Sequence, residues 1–309
     1  MPHITTSLAY STDSAGMHPS HTLPIKLRAI AAAGFRQAEL GFPDLEAYAE
    51  QEFSGYRKLD NHGNGDLDKL LQAAGKIHEL CEELGLSILA IHPFSQFEGY
   101  EDVQKRAIGF ERAVAWFKVL KEHMGAYLGC LQAGRQAKLR SLSGHVPDMR
   151  YAIRQKITHL HLCSDNLPHA IARAYADPTV ANGLLQHSPE GSAILHLASS
   201  LKALATTLPP EKIFYLQISD GSRRVTPEAL SKSAEEQGIS PLYAWSNAWR
   251  PVPNMDTVCP RGGGMTWGGY LPVLDVCEAV LRTGWRGPWS YEASMYYGLS
   301  RCMLTERLI

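Results

Sequence analysis

The sequence predicts an α/β protein whose parallel strands, covered by helices, close into a barrel, and three observations predict it. Short apolar runs alternate with stretches of helical periodicity over residues 4–132 and again over 193–293, with connections long enough to cross back between parallel strands. No Gly-x-Gly-x-x-Gly follows the first strand, which disfavours an open nucleotide-binding sheet, the other architecture compatible with the pattern. The chain has 309 residues, a length that α/β barrels reach as single domains, so one domain over 1–309 is expected.

The elements follow in order. Ile4 to Tyr10 reads as a strand, and Ile25 to Ala33 as a helix stopped by Gly34. Gln37 to Gly41 is a second strand. Asp66 to Leu84 is a helix with an Asp cap and Gly85 at its end. Leu86 to His92 forms a third strand broken by Pro93. A long helix from Val103 to Met124 precedes a fourth strand, Ala126 to Gln132. Later come a helix at Ala193 to Leu208, a strand at Lys212 to Ser219, a helix at Tyr270 to Thr283 and a last strand at Pro288 to Ala293.

The middle departs from this rhythm. Ala133 to His161 carries six Lys/Arg, a single acid (Asp148) and no Glu, with neither a clear strand nor an apolar helix face. Structureless loops of that length are uncommon inside compact domains. After Glu292 the tail is short and irregular for a closing helix. A TIM-type (β/α)8 barrel is therefore expected in incomplete form, with one strand unit around 133–161 missing or altered and the last helix shortened.

Lys+Arg 30 against Asp+Glu 31 gives a formal charge of −1, so no global positive field exists to attract nucleic acid. No apolar run suits a membrane span, and the first ten residues lack the basic and apolar regions of a secretory signal. Six scattered cysteines form no Cys-x-x-Cys pair, which suits reduced thiols and a cytoplasmic location. The expected partner is a small molecule, with self-association left open.

Barrel enzymes carry functional side chains at the C-terminal ends of their strands. Those ends supply Glu39, His92, Gln217 and Glu292, joined by Asp165 if Thr158 to Cys163 is a strand. Carboxylates with an amide or imidazole suit a divalent ion such as Mg²⁺, Mn²⁺ or Zn²⁺, which can polarise a carbonyl beside an acidic proton. Structural alternatives stand beside each: Gln217 could bond a loop backbone, His92 could cap the following loop, Glu39 could pair with a surface Arg, and Asp165 could be a turn residue beside Asn166. Two loops offer substrate contacts. Tyr243 to Pro253 brings Ser246, Asn247 and Arg250, the last a bidentate carboxylate clamp, and Ile91 to Gly99 brings Phe94 and Gln96.

HPFSQFEG at 92–99, ARAYADPT at 172–179, FYLQISD at 214–220, GGYLPV at 268–273 and GWRGPWSYE at 284–292 mark a resemblance. Together these stretches resemble the xylose-isomerase-like sugar phosphate isomerase/epimerase barrels and, within them, the fungal 3-dehydroshikimate dehydratases. The resemblance implies four strand-end metal ligands: a Glu, an Asp, a Gln or His, and a final Glu. Gln217 matches the third and Glu292 the fourth, while Asp165 falls near the second with a shift of about one residue. The first has no match, because the segment between Gln132 and Asp165, where its strand should lie, contains no Glu.

The resemblance implies a metal-dependent lyase that converts 3-dehydroshikimate to protocatechuate, with Arg250 on the ring carboxylate and His92 assisting proton transfer. Its activity would be weakened by the missing carboxylate. Two alternatives remain open. One is a sugar or hydroxy-acid isomerase or epimerase using Glu39 and Glu292 as its acid/base pair, and the other is a non-catalytic, degenerate barrel.

Overall fold

In this computed structural model the structure describes residues 7–16, 18–95, 102–123, 127–128, 131–132, 175–180, 182–185, 192–213, 215–258 and 266–295. The chain divides into two compact units, Ser7–Ile153 with Ser300–Ile309, and Met1–Thr6 with Arg154–Leu299. Asp165, Gln96 and the basic segment 133–161 lie outside the described residues.

The unit containing residues 7–153 is a parallel α/β layer. Its strands are β1 (Leu8–Ser11), β2 (Gln37–Gly41) and β3 (Ser87–His92). The helices between them are α1 (Leu23–Ala32), α2 (Phe42–Glu52) and α3 (Leu67–Leu84). After β3 come β4 (Phe94–Ser95), α4 (Val103–His123), β5 (Tyr127–Leu128) and β6 (Leu131–Gln132). β1 pairs with β2, β2 with β3 and β3 with β5, all parallel, while β4 pairs separately with β6.

Local chemistry accounts for these elements. The buried side chains of α3 (Leu70, Ala73, Ala74, Ile77 and Cys81) recur at helical spacing and face the core. Gly85 ends α3 at φ 65°, a left-handed backbone that a side chain disfavours, and its N–H closes onto Cys81 and Glu82. The expected Asp66 cap is not made. Its carboxylate instead accepts from the backbone and guanidinium of Arg57. Helix α2 carries a helix-start proline, Pro43, but its apolar face is narrow (Phe42, Leu45 and Ala49), which explains why periodicity alone missed it.

The second unit holds α5 (Ser192–Thr207), β7 (Leu216–Ile218), α6 (Pro227–Gln237), α7 (Pro241–Ala248) and β8 (Trp249–Arg250). After these come α8 (Met255–Val258), α9 (Val273–Arg282), β9 (Trp289–Tyr291) and β10 (Ser294–Met295). β7 and β9 are parallel, with Gln217 opposite Ser290, whereas β8 and β10 are antiparallel, with Arg250 opposite Ser294. The core gathers Leu216, Ile218, Leu230, Trp245, Val276, Val280 and Trp285 from strands and helices.

The stretch Tyr243 to Pro253, expected as a loop, is helical as far as Ala248. Ser240 accepts from the Tyr243 N–H, and Pro241 occupies the first turn, where its missing N–H costs nothing. Among the described residues, the first unit has four strands in the β1–β2–β3–β5 parallel ladder and the second has two, β7 and β9, against the eight of a complete barrel. No helix among the described residues is long and apolar enough to cross a membrane.

Candidate active site

In the second unit, side chains one strand apart converge. Gln217 is central in β7, and Glu292 follows β9 directly, its N–H donating to the Ile218 carbonyl at 3.2 Å. The period of two along a strand puts Gln217 and Ser219 on one face, with Ser290 and Glu292 beside them. Gln217 is fully buried, Glu292 is 6% exposed, and Gln217 Nε2 donates to Glu292 Oε2 at 2.5 Å. Arg250 Nη2 donates to the other carboxylate oxygen, Oε1, at 2.6 Å. The three expected residues Gln217, Glu292 and Arg250 are therefore brought together.

The neighbouring backbone explains why they meet. The antiparallel register sets Arg250 against Ser294, two residues beyond Glu292. Pro251 accepts from the Asp220 N–H and Trp249 from the Ser222 N–H, both at 2.9 Å, so Arg250 is held on both flanks. A buried guanidinium needs a carboxylate, and this one has it.

Asp220, which sequence reasoning did not single out, anchors the same region. Its Oδ1 accepts from the N–H groups of Gly221, Tyr270 and Leu271 at 2.7, 3.0 and 2.8 Å. Burial pushes its carboxyl above the usual carboxylate range, and the three N–H groups pull it back down. A Cβ at Gly269 would stand 2.5 Å from Asp220 Oδ2, so the glycine permits this approach. The segments FYLQISD and GGYLPV are thus two sides of one clasp, and the only signal for it in the sequence is an Asp three residues past Gln217.

The other substrate-contact candidates are placed differently. Ser246 lies on α7, 1% exposed, with its hydroxyl donating to the Tyr243 carbonyl, and Asn247 is half-buried on the same helix. In the first unit, Phe94 is 2% exposed and packs edge-on against Trp116, with the Arg112 guanidinium 4.5 Å from its ring centre. These contacts account for its burial as core packing.

The first unit also gathers polar groups at its strand ends. Glu39 is fully buried, and it lies opposite Ser11 in the β1–β2 register. An irregularity at Ala38/Glu39 shifts the register against β3, a device that re-aims side chains. His92 Nε2 lies 3.1 Å from Ser11 Oγ, and its Nδ1 lies 3.6 Å from Asp13 Oδ2. Ser11 and Asp13 were not anticipated, because a strand end and the turn after it meet a residue some eighty positions away only in the folded chain.

A divalent ion accepts carboxylate and amide oxygens, and Mg²⁺ is commonly held by one or two carboxylates with water completing its shell. Glu292 and Gln217 have side chains in direct contact, but with the Gln217 amide nitrogen turned to one carboxylate oxygen and Arg250 on the other they do not present the oxygens such an ion takes. No group of three or more His, Cys, Asp or Glu side chains suited to a metal occurs among the described residues.

Comparison with known proteins adds the family context. The chain is 23% identical to a 3-dehydroshikimate dehydratase of Neurospora crassa, over 88% of this chain and 81% of that one. It is 27% and 25% identical to 3-dehydroshikimate dehydratases of Pseudomonas aeruginosa and Pseudomonas putida, again over 88% of this chain but spanning 36% of theirs. Among solved structures, a xylose isomerase-like TIM barrel/4-hydroxyphenylpyruvate dioxygenase fusion protein matches with a TM-score of 0.51 at 19% identity. That match covers 98% of this chain and 41% of the fusion. No protein-family profile matches the chain. The fold is that of the xylose isomerase-like TIM barrels, and the resemblance of the sequence to 3-dehydroshikimate dehydratases extends over most of its length.

Proposed function

We propose that this chain is a carbon–oxygen lyase that dehydrates 3-dehydroshikimate to protocatechuate, in the breakdown of quinate and shikimate. The observation that carries the reading is the buried contact of Gln217 on β7, Glu292 just after β9 and Arg250 on β8. Resemblance to three proteins named for this activity supports the substrate class.

The reaction removes a proton next to a ketone, expels a hydroxyl as water and leaves an aromatic ring. The Mg²⁺, Mn²⁺ or Zn²⁺ ion expected at Gln217, Glu292 and Asp165 supplies polarisation of a carbonyl when bound. Glu292 instead meets Arg250 and the Gln217 amide nitrogen, so the steps fall to the chain's own groups. Arg250 binds the ring carboxylate through its planar fork of donors and fixes the orientation of the ring. Deep burial of Arg250 and Glu292 excludes water and strengthens that contact. The reading assigns proton transfer to His92, with Glu39 as second candidate, both in the first unit. Substrate contacts from Ser246, Asn247, Phe94 and Gln96 are subsidiary to it, and a cytoplasmic location accompanies it.

The test is direct. Purified protein with 3-dehydroshikimate and Mg²⁺ or Mn²⁺ should produce a catechol, read by its absorbance and confirmed by mass spectrometry. Folded protein that forms no catechol refutes the dehydratase reading, and turnover of keto-sugars in its place would establish an isomerase.

A further inference from the structure

Ser11 and His92 belong to strands that do not adjoin. β2 runs between β1 and β3, and the position of β2 opposite His92 is Gly41. Neighbouring strands lie about 4.8 Å apart, so Ser11 Oγ and His92 Nε2 meet at 3.1 Å across a position that carries no side chain. Gly41 has φ −65°, which any residue adopts, so its backbone does not call for glycine. Its space does: a Cβ there would collide with Asp13 Oδ1. The Gly41 N–H donates to Thr12 Oγ1 at 2.9 Å and ties the turn Thr12–Ser14 to the end of β2. That tie sets the Asp13 carboxylate over Gly41, with Oδ2 3.6 Å from His92 Nδ1.

We infer that Asp13 is a positioning residue for His92: it holds the proton of the neutral imidazole on Nδ1 and leaves Nε2, the nitrogen facing Ser11, as the one that takes up a proton. This inference rests on the proton-transfer role that the proposed function gives His92. It adds which nitrogen works and what selects it.

Contacts on both sides of the ring favour the same proton arrangement. A carboxylate beside a ring nitrogen attracts an N–H and repels a lone pair. At 3.6 Å the contact is a charge attraction rather than a hydrogen bond, and with the Asp13 side chain 39% exposed water screens part of it. On the other side, Ser11 Oγ accepts from the Asp13 N–H at 3.3 Å, which leaves the hydroxyl its own proton to offer Nε2. A hydroxyl that donates to Nε2 needs a bare nitrogen there, and the ring proton then lies on Nδ1, towards Asp13. Glu39, fully buried and opposite Ser11, is the competing carboxylate, and a proton held on Nε2 would mark its control of the ring in place of Asp13.

The experiment reads the imidazole ¹⁵N resonances of the full chain labelled at histidine, about two pH units above the ordinary His value of about 6.5, with the His92 signals identified by their loss in His92→Gln. Wild type should carry the proton on Nδ1 in preference to Nε2 by about tenfold. Asp13→Ala should lower that preference at least about threefold, and Gly41→Ala, which crowds the carboxylate while keeping Asp13, should do the same. Ser11→Ala should leave Nδ1 the protonated nitrogen. Circular dichroism checks the folding of each variant, and if the variants do not fold, wild type decides. A wild-type proton on Nε2, or an Asp13→Ala preference equal to that of wild type, overturns the inference. In the catechol assay Asp13→Ala should lose at least about tenfold in kcat with KM little changed, and an unchanged kcat overturns the inference as well. Wild type that forms no catechol refutes the dehydratase reading and leaves the position of the ring proton to be read, so the two proposals fail separately.

Discussion

Replacing Glu292 by Ala should be among the most destabilising single changes available in the second unit. Both partners of the Arg250–Glu292 pair have side chains 7% exposed, so truncation takes from a buried guanidinium the carboxylate it meets at 2.6 Å. Breaking a buried pair from one side costs about 3–5 kcal/mol. Loss of the Gln217 bond adds to this, since a buried amide donor left without its acceptor costs about 1–3 kcal/mol. The internal control is Glu278, which pairs with Arg282 one helical turn away at the surface, with side chains 61% and 69% exposed. Such a pair contributes about 0.3–0.5 kcal/mol, so Glu278→Ala should shift a urea midpoint barely at all. Removing both charges with apolar replacements, Arg250→Met with Glu292→Leu, should recover most of the stability lost in Glu292→Ala. Urea denaturation followed by tryptophan fluorescence reads all four proteins. If Glu292→Ala loses no more stability than Glu278→Ala, the pair is not the buried contact described above and the argument from it fails.

Two further outcomes are expected. Burial raises the Asp220 carboxyl above its unfolded value, so the folded state holds that proton more tightly. The resulting stability is present below 3.8, where an ordinary aspartate titrates, and is lost as pH rises through the folded pKa. Asp220→Asn, which retains an acceptor oxygen for the three N–H groups, should therefore gain on wild type as pH rises above 3.8 in paired denaturation curves, and a pH-independent difference would contradict this. Burial pushes the thiols of Cys81 and Cys277 up to about 12 and about 11, leaving little thiolate at neutral pH. Peptide mapping after maleimide treatment should find both unmodified in native protein and labelled after denaturation, and rapid native labelling of either would refute their placement.

Much of the architecture was legible before folding, and particular residues show why. Gln37 to Gly41 and Leu86 to His92 read as strands, and α3 as a helix ended by Gly85, because each carries its signal within a few residues of itself. Helices α2, α6 and α7 went unread. Their start signals, Pro43, the Thr226-Pro227 pair and the Ser240-Pro241 pair, lie in the sequence, but their short apolar faces resemble those of loops. Gln217 and Glu292 are legible as a pair because the sequence places both toward the C-terminal ends of its apolar runs, where barrels concentrate function.

Sequence alone determined which residue types stand at the strand ends, and the chain's charge balance, cysteine spacing and parallel α/β class. Those properties depend on neighbours along the chain. Only tertiary structure decided that Arg250 grips Glu292, that Asp220 gathers the backbone of residues 270 and 271, and that His92 rests beside Ser11. Each of those contacts joins residues roughly forty to eighty positions apart. Which distant polar groups meet is set by strand register and burial, which force each buried charge or donor to find a partner among the groups that packing brings within reach.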